Sequence, residues 1–259
     1  MNTVTQPGTG QARAGRDPAP VIWVIALTCW AATVAVTVAG GMEAGAHDYI
    51  IEESPWSWPV KIGAFLAVWV VMLGAMMLPT TLPMARLFHA ASARQPHPAP
   101  ARAAFYAAYL ALWGGFALLA LVGDTRIHWL VHRWPWLADH EKLILASTVL
   151  LAGLYQLSAL KGACLRACRS PMSMIGERYR RGAGGGWTVG VHHGLTCLGC
   201  CWALMLVMFA TGVGSLLWML ALTAVMLVEK TASFGATLVR PVAAALIVAG
   251  VVVAAPAFW

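Results

Sequence analysis

The chain has 259 residues, of which 60% are hydrophobic and only 10% are charged. A soluble domain carries about 25% charged residues, so this composition excludes an ordinary soluble globular protein and indicates a polytopic membrane protein. The formal net charge of +7 would fit a nucleic-acid-binding protein, but no segment resembles a nucleic-acid-binding module. We therefore expect the lipid bilayer, and no nucleic acid, as a partner.

The hydropathy pattern divides the chain into a tail and one helical domain. Residues 1–19 are polar and rich in Pro and Gly, which is typical of a short disordered tail. Residues 20–259 are predicted to form a single all-α transmembrane bundle of about seven spans. The first apolar run is too long for a signal-peptide core and lacks a clear cleavage site, so we interpret it as a retained span. The predicted spans cover residues 21–40, 60–80, 103–123, 142–162, 187–210, 213–230 and 238–255. A tight Thr211-Gly212 turn is expected to join the fifth and sixth spans as a hairpin.

The basic residues sort to one side of this arrangement. Most of the 17 Lys and Arg residues fall in the tail and in the second, fourth and sixth loops. The opposite loops hold only Lys61, Arg126, Arg133 and Lys142. The positive-inside rule then places the N-terminus in the cytoplasm and the C-terminus outside.

The predicted outer loop at residues 124–142 is rich in tryptophan, which favours the membrane interface. His128 and His132 are four residues apart, so they align on one face if the segment is helical. We interpret the segment as an interfacial amphipathic turn. The alternative is a weak metal-capture site that also uses His47 or His140.

The predicted fifth span contains the segment HHGLTCLGCCWALM, residues 192–205. At 100° per residue, four potential ligands fall on one narrow face with glycines: His193, Cys197, Cys200 and Cys201. Glycines allow a neighbouring helix to approach closely, so this face is expected to contact another helix rather than lipid. Cys197 lies about 15 Å into the span, near the middle of the bilayer. His192 points to a different side.

Further soft or charged side chains lie near the ends of other spans. Cys164 and Cys168 share one face at the cytoplasmic mouth of the fourth span. Met72 and Met76 share a face of the second span, with Met77 to the side, and the two prolines that follow should kink that helix and free backbone carbonyls. Glu229 and Lys230 end the sixth span, where an interfacial ion pair is the simplest interpretation. Methionines and lone cysteines such as Cys29 are mostly packing residues.

The clustered thiols predict a site for a soft metal ion. Thiolate, thioether and imidazole select Cu(I) first and Zn(II) next. Structural zinc sites normally use short loops, whereas these thiols project from helices, which favours two- or three-coordinate Cu(I). Two thiolates around Cu(I) leave one negative charge, which Lys161 or a histidine would balance. The expected core site is Cys197, Cys200, Cys201 and His193, with Cys164 and Cys168 as a relay at the cytoplasmic mouth and Met72 and Met76 as weaker ligands.

Two other functions remain open. Cys197 and Cys200 form a C-x-x-C pair, as in membrane thiol–disulfide oxidoreductases. Such an enzyme needs a cysteine pair near the oxidising face, and the predicted outer loops contain no cysteine. We therefore expect a binding protein rather than an enzyme. A structural subunit of a copper-dependent membrane complex is the third alternative.

Three segments together resemble the predicted metal-binding integral membrane protein family, a bacterial family once filed as a domain of unknown function: WVVMLGAMMLPTTLP, YQLSALKGACLRACRSP and HHGLTCLGCCWALMLVMFATGVGSLLWMLALTAVMLVEK. The resemblance covers about residues 20–255. It implies a multi-pass protein of the bacterial inner (plasma) membrane that handles metal, with delivery of copper to an oxidase or oxygenase as its role. The residues that match the motifs are Met72, Met76, Met77, Pro79, Gln156, Lys161, Cys164, Cys168, Pro171, His193, Gly194, Cys197, Gly199, Cys200, Cys201, Trp202, Glu229 and Lys230.

Overall fold

Helices make up nearly all of the computed structural model of this chain, which describes residues 17–40, 50, 54–140, 142–211 and 215–257. This described part contains no strand, so the all-α prediction is confirmed there. The predicted tail up to residue 16, His47 and Gly212 lie outside the described residues. The helices are α1 (Ala19–Gly40), α2 (Trp58–Met76), α3 (Leu82–Ser92), α4 (Pro98–Arg133), α5 (Pro135–Asp139), α6 (Lys142–Gln156), α7 (Ala159–Arg169), α8 (Pro171–Arg178), α9 (Gly182–Ala210), α10 (Leu216–Thr231) and α11 (Gly235–Ala254).

Five of the described helices are long and apolar enough to cross a membrane: α1, α2, α4, α9 and α11. The pair α6 and α7 also passes this test when taken together, although the two helices are bent by 64° relative to one another. Helix α10 has 16 residues, fewer than the roughly 20 of a typical span. The described residues therefore contain five candidate spans, or six if the bent pair counts as one.

Helix α2 ends at Met76, three residues before Pro79. Proline lacks an N–H group and its ring clashes with the carbonyl four residues earlier, so a regular helix cannot continue through it. The chain forms a turn at Met77 and a short 3-10 segment, Pro79–Thr81, before α3 begins. The carbonyl of Ala75, four residues before Pro79, accepts a hydrogen bond of 3.2 Å from Trp30 Nε1 of α1. The predicted kink and freed carbonyl are both present.

The helix predicted over residues 142–162 is interrupted after Gln156, although the two pieces together still pass as one candidate span. Helix α6 ends at Gln156, and α7 starts after Ser158, whose side chain accepts a hydrogen bond of 3.1 Å from the Lys161 backbone N–H. This is an N-cap, which satisfies an amide at the start of a new helix. The break matters because Lys161 lies in the first turn of α7 and is buried.

The helix that contains the predicted third span, residues 103–123, is longer than that span. Helix α4 runs continuously over 36 residues, so the expected outer loop from residue 124 begins as helix. His128 and His132 therefore lie on the last turns of α4. His128 lies 3.4 Å from a carboxylate oxygen of Asp124, one turn earlier.

Helix α9 lies at the centre of the bundle. In its most apolar stretch 61% of the residues are buried, against 11% in α1. Glycines on one of its faces allow α4 to pack closely. A Cβ atom at Gly186 or Gly190 would overlap the backbone carbonyl of Ala101 or Phe105, and one at Gly194 would lie 2.6 Å from Leu112 Cδ1. The predicted helix contact along this glycine face is confirmed, and its partner is α4.

Candidate metal centre

The three thiols of α9 point into the protein. Cys197, Cys200 and Cys201 are each 1% exposed. The Cys200 and Cys201 thiols lie 3.1 and 2.8 Å from the Cys197 carbonyl oxygen, so each can donate to the backbone of the preceding turn. The prediction that these thiols face the bundle rather than lipid is confirmed by their burial.

One of these thiols contacts a methionine from the break after α2, and a lysine lies beside two of the thiols and this methionine. Cys201 Sγ lies 4.0 Å from Met77 Sδ. The ammonium of Lys230 lies 3.2 Å from Cys197 Sγ, 3.7 Å from Cys201 Sγ and 3.9 Å from Met77 Sδ. Because the three sulfur atoms surround one buried cation, we call Cys197, Cys201 and Met77 the three-sulfur site.

The third thiol contacts α7. Cys200 Sγ lies 3.8 Å from Cys168 Sγ, and we call these two residues the thiol pair. Cys164, one turn earlier on α7, packs against Gly199, where an added Cβ would lie 2.6 Å from its Sγ. The fourth predicted span thus supplies the soft neighbour expected for α9, and Cys168 rather than Cys164 is the residue in contact with a thiol.

Met72 and Met76 lie in the apolar core, 2% and 0% exposed. The methionine that contacts a thiol is Met77, which the sequence placed to the side of the expected face. The difference follows from the chain leaving the helix after Met76, since the face of a regular α-helix no longer describes where the next side chain points.

His193 is buried, but its neighbours are aromatic. Its ring stacks against Phe105 and Tyr109 at centroid distances of 5.9 and 5.7 Å. The Tyr109 hydroxyl lies 3.3 Å from Cys197 Sγ, so the tyrosine lies between the imidazole and the three-sulfur site. Within the described residues His193 Nε2 has no hydrogen-bond partner. The other histidine, His192, contacts the Thr188 carbonyl at 2.9 Å, on a different side of α9 as expected.

A buried charged network lies beside the thiol pair. Lys161 Nζ donates to Glu229 Oε2 at 2.7 Å and to the Cys200 carbonyl at 2.5 Å. Gln156 Nε2 donates to the other carboxylate oxygen of Glu229 at 2.9 Å. The network links α6, α7, α9 and α10, and its bonds satisfy both oxygens of the buried carboxylate, as a buried charge requires.

The predicted interfacial ion pair between Glu229 and Lys230 is wrong. Glu229 is 1% and Lys230 is 7% exposed. Consecutive residues on a helix point about 100° apart, so Glu229 reaches Lys161 while Lys230 reaches the three-sulfur site. The cation expected near the thiolates is therefore Lys230, and Lys161 contacts the α9 backbone instead.

Arg169 and Tyr155 also make contacts near the site that were not predicted from the sequence. The guanidinium of Arg169 donates to the carbonyls of Glu229, Ala232 and Ser233 at 2.6, 2.7 and 3.0 Å, which closes the C-terminal end of α10. The Tyr155 hydroxyl donates to the Gly199 carbonyl. An arginine in a basic loop and a tyrosine in an apolar helix carry no local sequence signal for such roles.

No three His, Cys, Asp or Glu side chains converge in a way that could hold a metal ion in the described ranges. This applies to the outer histidines His128, His132 and His140, while His47 lies outside those ranges. The ring of His140 stacks on Trp136 with centroids 4.6 Å apart. The inner candidate consequently consists of two thiols and a thioether.

The fold and the site define an all-helical protein with long apolar helices, compatible with a membrane protein, and a buried cluster of soft sulfur ligands. Residues 66–253 match the PpoB2 family, which is described as a copper chaperone, and the chain belongs to this family. No curated protein and no solved structure matches the chain. Membership in this family supports the association with copper that the sequence resemblance implied.

Proposed function

We propose that this chain spans the bacterial inner membrane, binds Cu(I) at the three-sulfur site and delivers the ion for maturation of a copper enzyme. The observation that carries the proposal is that the sulfur atoms of Cys197, Cys201 and Met77 all lie within 3.9 Å of the same buried ammonium, so that two thiols and a thioether share one site. Family membership supports copper as the cargo. The receiving protein would be a copper-dependent oxidase or oxygenase.

The ligand set favours Cu(I). With metal–sulfur bonds of about 2.3 Å, two sulfurs of a trigonal site lie about 4 Å apart. The separation between Cys201 Sγ and Met77 Sδ is 4.0 Å. Thiolate and thioether ligands select Cu(I) among the biological metals. A structural zinc site would need four ligands, which these three residues do not supply.

The thiol pair of Cys168 and Cys200 offers a second position for the ion. Cys200 is on the same helix as the three-sulfur site, and Cys168 is on α7. Cys164 lies one turn from Cys168 and is half-buried. The proposed route therefore runs from the three-sulfur site through the thiol pair toward Cys164, with Cys164 and Cys168 as the relay at the cytoplasmic mouth.

We propose seven membrane crossings, with the N-terminus in the cytoplasm and the C-terminus outside. The five long apolar helices supply five crossings, the bent α6–α7 pair supplies one and α10 supplies one. Helix α10 is about 24 Å long at 1.5 Å per residue, somewhat short of the roughly 30 Å hydrocarbon core. The distribution of basic residues supports the orientation.

Metal analysis of the detergent-purified chain, reduced and anaerobic, tests this function. We expect one Cu(I) per chain at the three-sulfur site, and Cys197→Ser or Cys201→Ser should abolish it. Cys29→Ser is the matched control, because Cys29 lies on α1 where it packs against Gly74. If a variant with serine at 197, 200 and 201 still binds copper one-to-one, the proposal is wrong.

A thiol–disulfide oxidoreductase is the second candidate function, because the sulfur atoms of two cysteines lie close together. Cys168 and Cys200 lie 3.8 Å apart at sulfur, close enough to form a disulfide after a small movement. Thiol trapping in intact cells separates the two functions. Copper binding requires Cys197, Cys200 and Cys201 mainly reduced, whereas an oxidoreductase would show a disulfide whose abundance follows the respiratory state.

A further inference from the structure

We infer that Lys230 selects monovalent over divalent soft metal ions at the three-sulfur site. The inference rests on the proposed function and adds the charge class of the ion. Its starting point is that one ammonium lies 3.2, 3.7 and 3.9 Å from the sulfurs of Cys197, Cys201 and Met77. A fixed positive charge is therefore part of the ligand environment.

Apart from the thiols, no described residue in contact with Lys230 carries a charge of opposite sign. Its remaining described contact is the neutral hydroxyl of Thr80, at 3.3 Å. The adjacent carboxylate, Glu229, is bound by Lys161 and Gln156. Among the described residues the groups that can carry negative charge next to this ammonium are therefore the thiols.

Neighbouring charges cancel one another. Lys161 and Glu229 form a pair with no net charge. The guanidinium of Arg169 is bonded to carbonyls at the C-terminal end of α10, where the helix carries a partial negative charge. The Cys200 thiol donates its proton to the Cys197 carbonyl at 3.1 Å and is neutral in that arrangement. The net charge at the three-sulfur site is then set by its own two thiols, Lys230 and the bound ion.

The charge balance distinguishes ions by valence. Thiols that bind a metal are deprotonated, so Cys197 and Cys201 contribute two negative charges and Lys230 contributes one positive charge. A monovalent ion makes the buried assembly neutral, while a divalent ion leaves one net positive charge. An uncompensated charge is costly in a buried, low-dielectric environment. Without Lys230 the preference reverses, because a divalent ion then gives the neutral assembly.

The local geometry lets Lys230 remain beside a bound ion. Metal–sulfur bonds of about 2.3 Å are shorter than the distances of 3.2, 3.7 and 3.9 Å from the ammonium to the sulfurs, so an ion bound to these sulfurs would lie closer to them than the ammonium does. Thr80 donates its hydroxyl proton to the Met77 carbonyl at 2.8 Å, which leaves its oxygen free to accept from Lys230. Thr80 thus provides a hydrogen-bond acceptor for the ammonium beside the metal site.

Competition between Ag(I) and Cd(II) tests the inference, because both ions are soft and they differ in charge. The probes are added to the reduced, detergent-purified chain under anaerobic conditions, and the ratio of the two dissociation constants is measured. We expect Lys230→Met and Lys230→Gln to shift this ratio at least tenfold toward Cd(II), and Lys230→Arg to preserve it. Lys142→Met, at an exposed position, is the control for loss of a lysine.

The outcomes separate the inference from the function on which it rests. If the wild-type chain binds no Cu(I), the proposed function fails and the inference fails with it. If the wild-type chain binds Cu(I) but Lys230→Gln, folded as judged by gel filtration, keeps the wild-type ratio within threefold, the inference alone is overturned. The glutamine variant removes the charge but keeps a polar side chain, so it separates loss of the charge from loss of a polar group at this position.

Discussion

The ammonium of Lys161 lies 2.7 Å from the carboxylate of Glu229, and each side chain is only 1% exposed. The two residues are 68 positions apart in the chain, so the pair fixes α7 against α10. Both helices carry a residue of the candidate metal centre, Cys168 on the first and Lys230 on the second. The ion pair therefore holds the two parts of the centre in register.

Removing one partner of this pair should strongly destabilise the fold. Lys161→Met leaves the Glu229 carboxylate buried without its cation, which typically costs about 3–5 kcal/mol. The double variant Lys161→Met/Glu229→Leu removes both charges and should cost less than the sum of the single changes. Unfolding in detergent measures these effects. A double variant as unstable as that sum would contradict the pairing.

Mild oxidation of the purified chain should link Cys168 to Cys200. Their sulfur atoms lie 3.8 Å apart, whereas the Cys164 side chain packs on Gly199. Peptide mapping by mass spectrometry after diamide treatment identifies the linked residues. Cys168→Ser should eliminate the crosslink and Cys164→Ser should leave it, while a dominant 197–200 crosslink would argue against the described arrangement of α7 and α9.

Reporter fusions test the number of crossings. A fusion after residue 95 follows the first two proposed spans and should report the cytoplasm, and a fusion at the C-terminus should report the outside. With six crossings both fusions would report the same side. That outcome would show that either α10 or the bent α6–α7 pair does not cross.

The close contact of α9 with α4 predicts different effects for two glycines. Gly190→Ala should destabilise the fold, because the new Cβ would overlap the Phe105 carbonyl. Gly114→Ala is the matched control within α4, since a Cβ there meets nothing within 4 Å. Alanine is favoured over glycine in a helix by about 1 kcal/mol, so the control should be neutral or stabilising. Thermal unfolding compares the two, and equal effects would contradict the close packing.

Acid should weaken the fold through His89. Burial, and then the charge of Arg102, lowers the pKa of His89 from its ordinary 6.5 to about 4, although Asp17 acts in the opposite direction. The unfolded chain therefore binds a proton at higher pH than the folded chain, and stability is lost as the pH falls from about 6.5 to about 4. His89→Gln cannot titrate and should show a smaller loss over this range. Melting temperatures at several pH values measure the difference, and parallel curves would be the contrary result.

The sequence predicted the helical class and the burial of the α9 thiols, because periodicity and composition carry that information. It misplaced residues wherever a helix is interrupted. Met77 replaced Met72 and Met76 as the sulfur contact because Pro79 ends α2. Similarly, the Ser158 cap divides a predicted span, and on the helix that follows it Cys168 rather than Cys164 contacts the Cys200 thiol.

The partners of the charged residues could not be read from the sequence for another reason. Because Glu229 and Lys230 are adjacent in the sequence, an ion pair between them was predicted, but the side chains of consecutive residues in a helix point in different directions. The true partner of Glu229 is 68 residues away, and a single sequence contains no measure of such distant contacts. The position of His193 between two aromatic rings of α4 depends in the same way on helix rotation.

The glycine contacts between α9 and α4 have a consequence for how an ion could leave. Cys197 and Cys201 belong to α9, whose glycine face packs directly against the backbone of α4. Met77 and Thr80 instead belong to the interrupted segment between α2 and α3, and Cys168 lies near the C-terminal end of α7, the helix that follows the bend. One side of the site is therefore formed by a closely packed helix, and the other side by residues of an interrupted segment and of a helix that follows a bend. Transfer of the ion would then require movement of the second side only, while Cys197 and Cys201 hold the ion until an acceptor ligand has approached.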